Sequence, residues 1–218
     1  AAQLPEIEKD FLCRLADAGL GVFKKPYVHQ IKALEAARRD NKDVLVATGT
    51  GSGKTECFLW PILAKLGSEA GRPSWKSRAV RTLILYPMNA LVSDQLARLR
   101  RILGSPDFVE CLKDTVGTVR RPQFGMYTGR TPYPGAKNVL EQDQKLAAKL
   151  REFLPEDNDT GDYLKSLAKL GRIPAKAHLE DFIDGLENGK HNTREEDAEL
   201  LTRFEIQQTP PDILITNY

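Results

Sequence analysis

Val44-Leu45-Val46-Ala47-Thr48-Gly49-Thr50-Gly51-Ser52-Gly53-Lys54-Thr55 decides the reading of this chain. A β-branched apolar run meets a glycine-rich turn, and Lys-Thr then opens an apolar helical pattern. Strand, glycine turn and helix in that order make a phosphate-binding loop. The glycines give the backbone conformations closed to other residues, so its N–H groups can face an anion. The helix N-terminus behind them adds positive potential. On this reading Thr50, Gly51, Ser52 and Gly53 cradle phosphates. Lys54 sits on the β- and γ-phosphates, and the Thr55 hydroxyl ligates Mg²⁺. Thr48 stands where the strict pattern has glycine. The rival reading, a flexible Gly/Thr/Ser loop, leaves the flanking strand and helix patterns without a purpose.

Working outward, the 218 residues are enough for one large domain or two small ones. No apolar run reaches the length of a membrane span, and the N-terminus lacks a signal-peptide pattern. A cytoplasmic location without a membrane partner is therefore expected. The chain begins Ala-Ala-Gln rather than with Met, which suggests an excerpt. Cys13, Cys57 and Cys111 are widely spaced and read as mostly buried free thiols. Charge is uneven. Between Val139 and Leu200 there are 9 Lys/Arg against 15 Asp/Glu, whereas the rest of the chain holds 23 against 15. A basic body with an acidic block suits a polyanionic partner, although ordinary solvated charge gives the same composition.

Upstream, Ile7, Phe11, Leu12 and Leu15 recur at helical spacing and stop at Gly19 and Gly21. A second helix starts near Pro26 and is expected to turn Val28, Ile31, Leu34 and Ala37 inward. Downstream of the loop a helix carries Phe58, Leu59, Ile62, Leu63 and Leu66, with Pro61 inside it. Thr82–Tyr86 reads as a buried strand, followed by a helix with Val92, Leu96, Leu99 and Leu103 on one face. On that helix Arg98, Arg100 and Arg101 read as solvated. Gln123–Tyr127 reads as a third strand. The acidic block divides into helices over Val139–Phe153, Asp162–Leu170, Ala177–Leu186 and Glu195–Phe204, with turns at Asp157–Gly161 and Asn188–Lys190. Asp212–Thr216 closes the series as a fourth strand. Alternating strands and helices predict a parallel α/β sheet with ligands at the carboxyl ends of its strands. His29, His178 and His191 have no ligand geometry.

The order of these segments resembles the first RecA-like domain of superfamily 2 DExH/DEAD-box helicases. Thr48–Thr55 resembles their motif I. Tyr86-Pro87-Met88-Asn89-Ala90-Leu91-Val92-Ser93-Asp94-Gln95 resembles motif Ia, and Tyr127-Thr128-Gly129-Arg130-Thr131 the element between Ia and Ib. Ile213–Tyr218 resembles motif Ib. The wording Tyr-Pro-Met-Asn-Ala-Leu and Pro-Pro-Asp-Ile-Leu-Ile-Thr-Asn-Tyr is similar to bacterial phage-defence helicases of the DISARM and Druantia types.

The resemblance implies an α/β, RecA-like P-loop NTPase domain with a helical insertion. It divides into N-terminal helices and an adenine-side segment (1–42), the ATP-binding core (43–133), an acidic helical insertion (134–208) and a return to the core (209–218). It implies ATP and Mg²⁺, with Lys54 and Thr55 as catalytic groups. Tyr27 and Gln30 join the loop as nucleotide-binding residues. The Gln30 amide offers one donor and one acceptor edge to adenine, and Tyr27 or Phe23 a stacking face. Asn89, Ser93, Thr128, Arg130, Thr216 and Asn217 are the expected contacts to the backbone of a nucleic-acid strand. DNA, single-stranded or with a single-stranded region, is the expected partner, and other defence-system proteins are expected to dock on the insertion. The carboxylates of a DExx box and a second RecA-like lobe are not in the sequence, so the chain is expected to be the N-terminal motor lobe of a larger ATP-dependent helicase or translocase.

Two rivals remain: a nucleic-acid-binding or scaffolding module with a non-hydrolysing phosphate loop, and a small-molecule kinase. The kinase reading accounts for neither strand-end motif. If Gln30 reads adenine, Gln30→Ala raises the KM for ATP far more than that for GTP. Equal effects in steady-state kinetics would leave Gln30 a helix residue only.

Overall fold

The computed structural model describes residues 3–132, 140–155, 158–190 and 193–217. The start of the acidic segment at 134–139, Asp157, His191 and Tyr218 lie outside them; the rest of the turn expected at Asp157–Gly161 is not a turn, because a helix already runs from Asn158. The chain divides into two compact units, Ala1–Ser77 with Pro106–Arg120, and Arg78–Ser105 with Arg121–Tyr218. Among the described residues, no helix is long and apolar enough to cross a membrane.

The first unit is helical. α1 (Glu6–Asp17), α2 (Val28–Arg38), α3 (Lys54–Ala70) and a fourth helix, α5 (Pro106–Val116), pack around Phe11, Leu15, Leu63, Leu66, Phe108 and Leu112. The Phe11 and Phe108 rings meet edge to face, 5.5 Å between centroids, a geometry favoured by ring quadrupoles. The Phe11 ring lies against Gly67, where an added Cβ would stand 2.4 Å from it. α3 runs through Pro61 as one helix. α2 turns Gln30, Ala33 and Leu34 inward, while Val28, expected inside, is 71% exposed. Glu8 on α1 is buried and takes both nitrogens offered by Arg38 on α2.

One expectation fails in this unit. Val44–Ala47 belongs to no strand of the sheet, and Leu45 is 95% exposed. The run has the composition of a strand, but a strand forms only on a partner's hydrogen bonds, and composition does not supply the partner.

The second unit holds the sheet. β1 (Thr82–Tyr86), β2 (Phe124–Tyr127), β3 (Glu199–Leu200) and β4 (Ile213–Asn217) are parallel, in the order β1-β4-β2-β3. Thr82 pairs with Ile213 and Tyr86 with Asn217, while Phe124 also pairs with Ile213. α4 (Asn89–Leu103) follows β1 and buries Val92, Leu96, Leu99 and Leu103, the face its spacing predicts.

The acidic segment supplies α6 (Leu140–Arg151), α7 (Asn158–Lys169) and α8 (Leu179–Glu187). α6 and α8 share a small core of Ala147, Leu150, Phe182, Ile183 and Leu186, with Leu146 and Phe153 packed against it. The helix expected over Glu195–Phe204 is not formed. β3 and a short helix α9 (Arg203–Gln208) stand there instead, and β3 pairs with β2 inside the sheet. Local helical spacing loses to distant charge pairing. Glu199 is buried and accepts two hydrogen bonds at 2.7 Å from Arg100 of α4, which sequence reading left in solvent. Lys176 is wholly buried between Asp197 (3.0 Å) and Glu205 (2.5 Å), with Phe182 beneath it. The block is therefore stitched into the sheet through residues of its own acidic surplus.

Removing one partner of such a cluster leaves buried charge uncompensated. Lys176→Met is expected to lower the unfolding free energy by about 3 kcal/mol or more, read by urea denaturation. A loss below about 1 kcal/mol would show that the cluster does not hold the segment to the sheet.

Candidate functional site

The loop after Ala47 closes on itself through short bonds. The Lys54 ammonium donates to the carbonyls of Thr48 (2.9 Å) and Gly49 (2.6 Å). Ser52 Oγ donates to Gly49 O at 2.8 Å and lies 2.7 Å from Thr48 Oγ1. Gly51 and Gly53 have φ of 76° and 75°, the left-handed region that favours glycine. Gly53 caps α3 and is doubly constrained, because a Cβ there would stand 2.4 Å from Gln30 Nε2. A 17-residue helix thus begins at the loop, with Lys54 and Thr55 as its first residues.

α2 supports the loop from below. Gln30 is buried; its Oε1 accepts the Tyr27 N–H at 2.9 Å, and its Nε2 donates to the Gly53 carbonyl at 3.1 Å. An amide offers two donors and two lone pairs, so one of each is left. Tyr27 is exposed and stacks on His29, with ring planes 12° apart and centroids at 5.6 Å. His29 Nε2 lies 2.9 Å from the Ser52 carbonyl. A carbonyl only accepts, so Nε2 carries the proton and donates. Sequence reading gave His29 no role. Its only signal was its place beside Gln30 in the first turn of α2. A separate cavity of about 530 Å³, lined by Leu12, Phe23, Pro26, Leu34 and Trp60 among others, shares no residue with the loop. Cys57 is buried, and burial raises its thiol pKa, as it does that of Cys111, while Cys13 is exposed.

In the second unit the carboxyl ends of β1, β4 and β2 bring the other expected residues together. Asn217 Nδ2 lies 3.4 Å from Asn89 Oδ1 at the start of α4, and Ser93 Oγ donates to Asn89 O one turn on. Thr216 Oγ1 donates to the Tyr127 carbonyl at 2.5 Å. After β2 the chain turns tightly. Thr131 Oγ1 accepts the Thr128 N–H and donates to Met126 O, while Thr128 Oγ1 accepts the Arg130 N–H. Thr128 is buried and Arg130 exposed at the turn. The Arg130 guanidinium has no partner among the described residues. Among the described residues the group holds small polar side chains and an unpaired guanidinium, which suits phosphate contact without base reading.

Residues 27–133, which include the loop, α3, β1, α4 and the turn after β2, match the family model described as DEAD/DEAH box helicase. These residues belong to the DEAD/DEAH box helicase family. The chain is also 38% identical over 238 aligned residues to the Druantia protein DruE of Escherichia coli (strain UMEA 4076-1), an alignment covering 99% of the chain and 13% of that protein. It is 35% identical over 113 residues to a probable ATP-dependent RNA helicase, ddx27, of Dictyostelium discoideum, covering 50% of the chain and 14% of the relative. A third relative is the DEAD-box ATP-dependent RNA helicase 36 of Oryza sativa subsp. japonica, 33% identical over 120 residues, with 51% of the chain and 21% of the relative covered. The chain therefore spans a small part of each of these relatives. No solved structure matches it at a significant level.

His29 holds the loop through the Ser52 carbonyl. His29→Ala is therefore expected to raise the KM for ATP and GTP alike, by about tenfold, the worth of one hydrogen bond. A change confined to ATP in steady-state assays would contradict that role.

Proposed function

We propose that this chain is the N-terminal motor lobe of an ATP-dependent nucleic-acid helicase or translocase. The observation that carries the reading is the phosphate loop, with two left-handed glycines and Lys54 at the head of α3, inside residues of DEAD/DEAH box helicase type. The loop residues fit a nucleotide phosphate. Gly51 has open space where a Cβ would stand, and Lys54 holds its ammonium on loop carbonyls, from which a phosphate can draw it. Mg²⁺ would be held by the Thr55 hydroxyl and would neutralise charge on the β- and γ-phosphates. Thr50, Gly51, Ser52 and Gly53 orient the phosphates, Lys54 stabilises charge on the transferred group, Tyr27 offers its exposed ring to the base, and Gln30, buried beside the loop, keeps one donor and one acceptor for it.

Asn89, Ser93, Arg130 and Asn217 contact the strand backbone, with Thr128 and Thr216 shaping the turn and strand end that present them. A motor needs that indifference to sequence, because it must advance over every base. DNA is the strand expected from the defence-helicase resemblance, and two of the relatives are RNA helicases by name. Defence-system proteins are the expected partners, the cytoplasm the expected location, and the acidic segment the expected docking surface.

ATPase of the full-length protein, with and without oligo-dT or oligo-U, tests the reading. Lys54→Ala is expected to abolish strand-stimulated hydrolysis and leave the thermal unfolding transition in place. Hydrolysis near wild type in that variant would overturn the nucleotide assignment. A wild-type protein that binds strands without turnover would favour the scaffolding module.

A further inference from the structure

We propose that Arg203, on α9 of the acidic segment, is a positioning residue for the strand-binding turn Tyr127–Thr131, so that the segment sets nucleic-acid affinity without touching the strand. The inference rests on the reading of that turn as a backbone contact.

Four contacts join α9 to the turn and to its base. The Arg203 Nη2 donates to the Thr128 carbonyl at 2.7 Å, and its backbone N–H donates to the Pro132 carbonyl at 3.0 Å. Its guanidinium lies over the Tyr127 ring, 5.3 Å from the centroid. Gln207 Nε2, one turn along α9, donates to the Tyr127 hydroxyl at 3.0 Å. The turn is thus held on both sides of Arg130, and the Arg130 side chain alone is left exposed.

α9 is itself fixed from inside the segment. Thr202 and Glu205 cap its first turn reciprocally, Thr202 Oγ1 accepting the Glu205 N–H and Glu205 Oε2 accepting the Thr202 N–H. The other Glu205 oxygen accepts from buried Lys176 and from Thr193 Oγ1 at 2.8 Å. A continuous line of bonded groups therefore runs from Lys176 through Glu205 to Arg203 and the turn. A phosphate contact made by Arg130 requires the turn to be held in one conformation before the strand arrives. If Arg203 were lost, part of the binding free energy would go into ordering the turn.

The test is strand-stimulated ATPase of the full-length protein, with an oligo-dT strand of about 30 nucleotides as probe. Arg203→Ala is expected to raise the half-stimulating strand concentration about tenfold while the KM for ATP moves less than about twofold. Arg130→Ala raises it as well, and the Arg130→Ala/Arg203→Ala double variant is no weaker than Arg130→Ala alone, because both act through one contact. Gln207 is exposed, so Gln207→Ala folds normally; it should raise the same concentration about threefold and decides the matter if Arg203→Ala does not fold. The positioning role is overturned if Arg130→Ala weakens binding and the α9 variants do not, or if the Arg130 and Arg203 effects multiply. If Arg130→Ala itself leaves strand affinity unchanged, the reading of the turn fails first, and this inference falls with it.

Discussion

A single buried carboxylate sets the register on which the strand-end site depends. Asp212, wholly buried at the entry of β4, accepts from the guanidinium of Arg78 at 3.2 Å, from Arg81, and from the backbone N–H of Gln123 at 2.8 Å. Its own carbonyl accepts the N–H groups of Arg81 and Thr82, and the Ile213 N–H donates to Gln123 O. The central strand is thereby clamped between the entries of β1 and β2 at one level. A parallel strand shifted by one residue would turn every side chain to the other face. With β4 fixed at its start, Thr216 and Asn217 emerge at its end beside Tyr127 and Asn89. The polar groups at the carboxyl edge are aligned from the opposite end of the sheet.

The acidic block owes part of its charge to the inside of the protein. Asp197, Glu199 and Glu205 are buried against Lys176 and Arg100. Burying an ion is costly, and only a matched partner with its remaining hydrogen bonds filled offsets the cost. Here the backbone N–H groups of Ala175, Ala177, Arg194 and Leu201 help to fill them. A charge count treats these carboxylates as surface groups, whereas three of them serve as internal fasteners.

How much was legible follows the range of the forces involved. The glycine turn before α3, α3 itself, β1, β2, β4 and the apolar face of α4 are each written in a short stretch, as glycine spacing, β-branched runs or helical periodicity. The residues expected at the strand ends do converge, because a parallel sheet places its carboxyl ends together. What escaped depends on distant partners. Glu195–Phe204 has helical spacing, but Lys176 and Arg100 claim its carboxylates. Val44–Ala47 has strand composition and no strand to pair with among the described residues. His29 acts through its place beside the loop, and α5 has a strong apolar face, with Phe108, Cys111 and Leu112 buried, that sequence reading passed over.

The bare run Val44–Ala47 has a practical side as well. Its backbone donors and acceptors stand outside any ladder, with Leu45 in solvent, and β1 ends the sheet with Leu83 and Leu85 more than half exposed. Unpaired strands of β-branched residues are templates for other chains, and natural proteins cover such edges with charge, proline or further structure. Val44-Leu45-Val46-Ala47 carries no charge and no proline. Exposed backbone and an uncovered edge of this composition are aggregation liabilities of the kind that charge or proline ordinarily offsets.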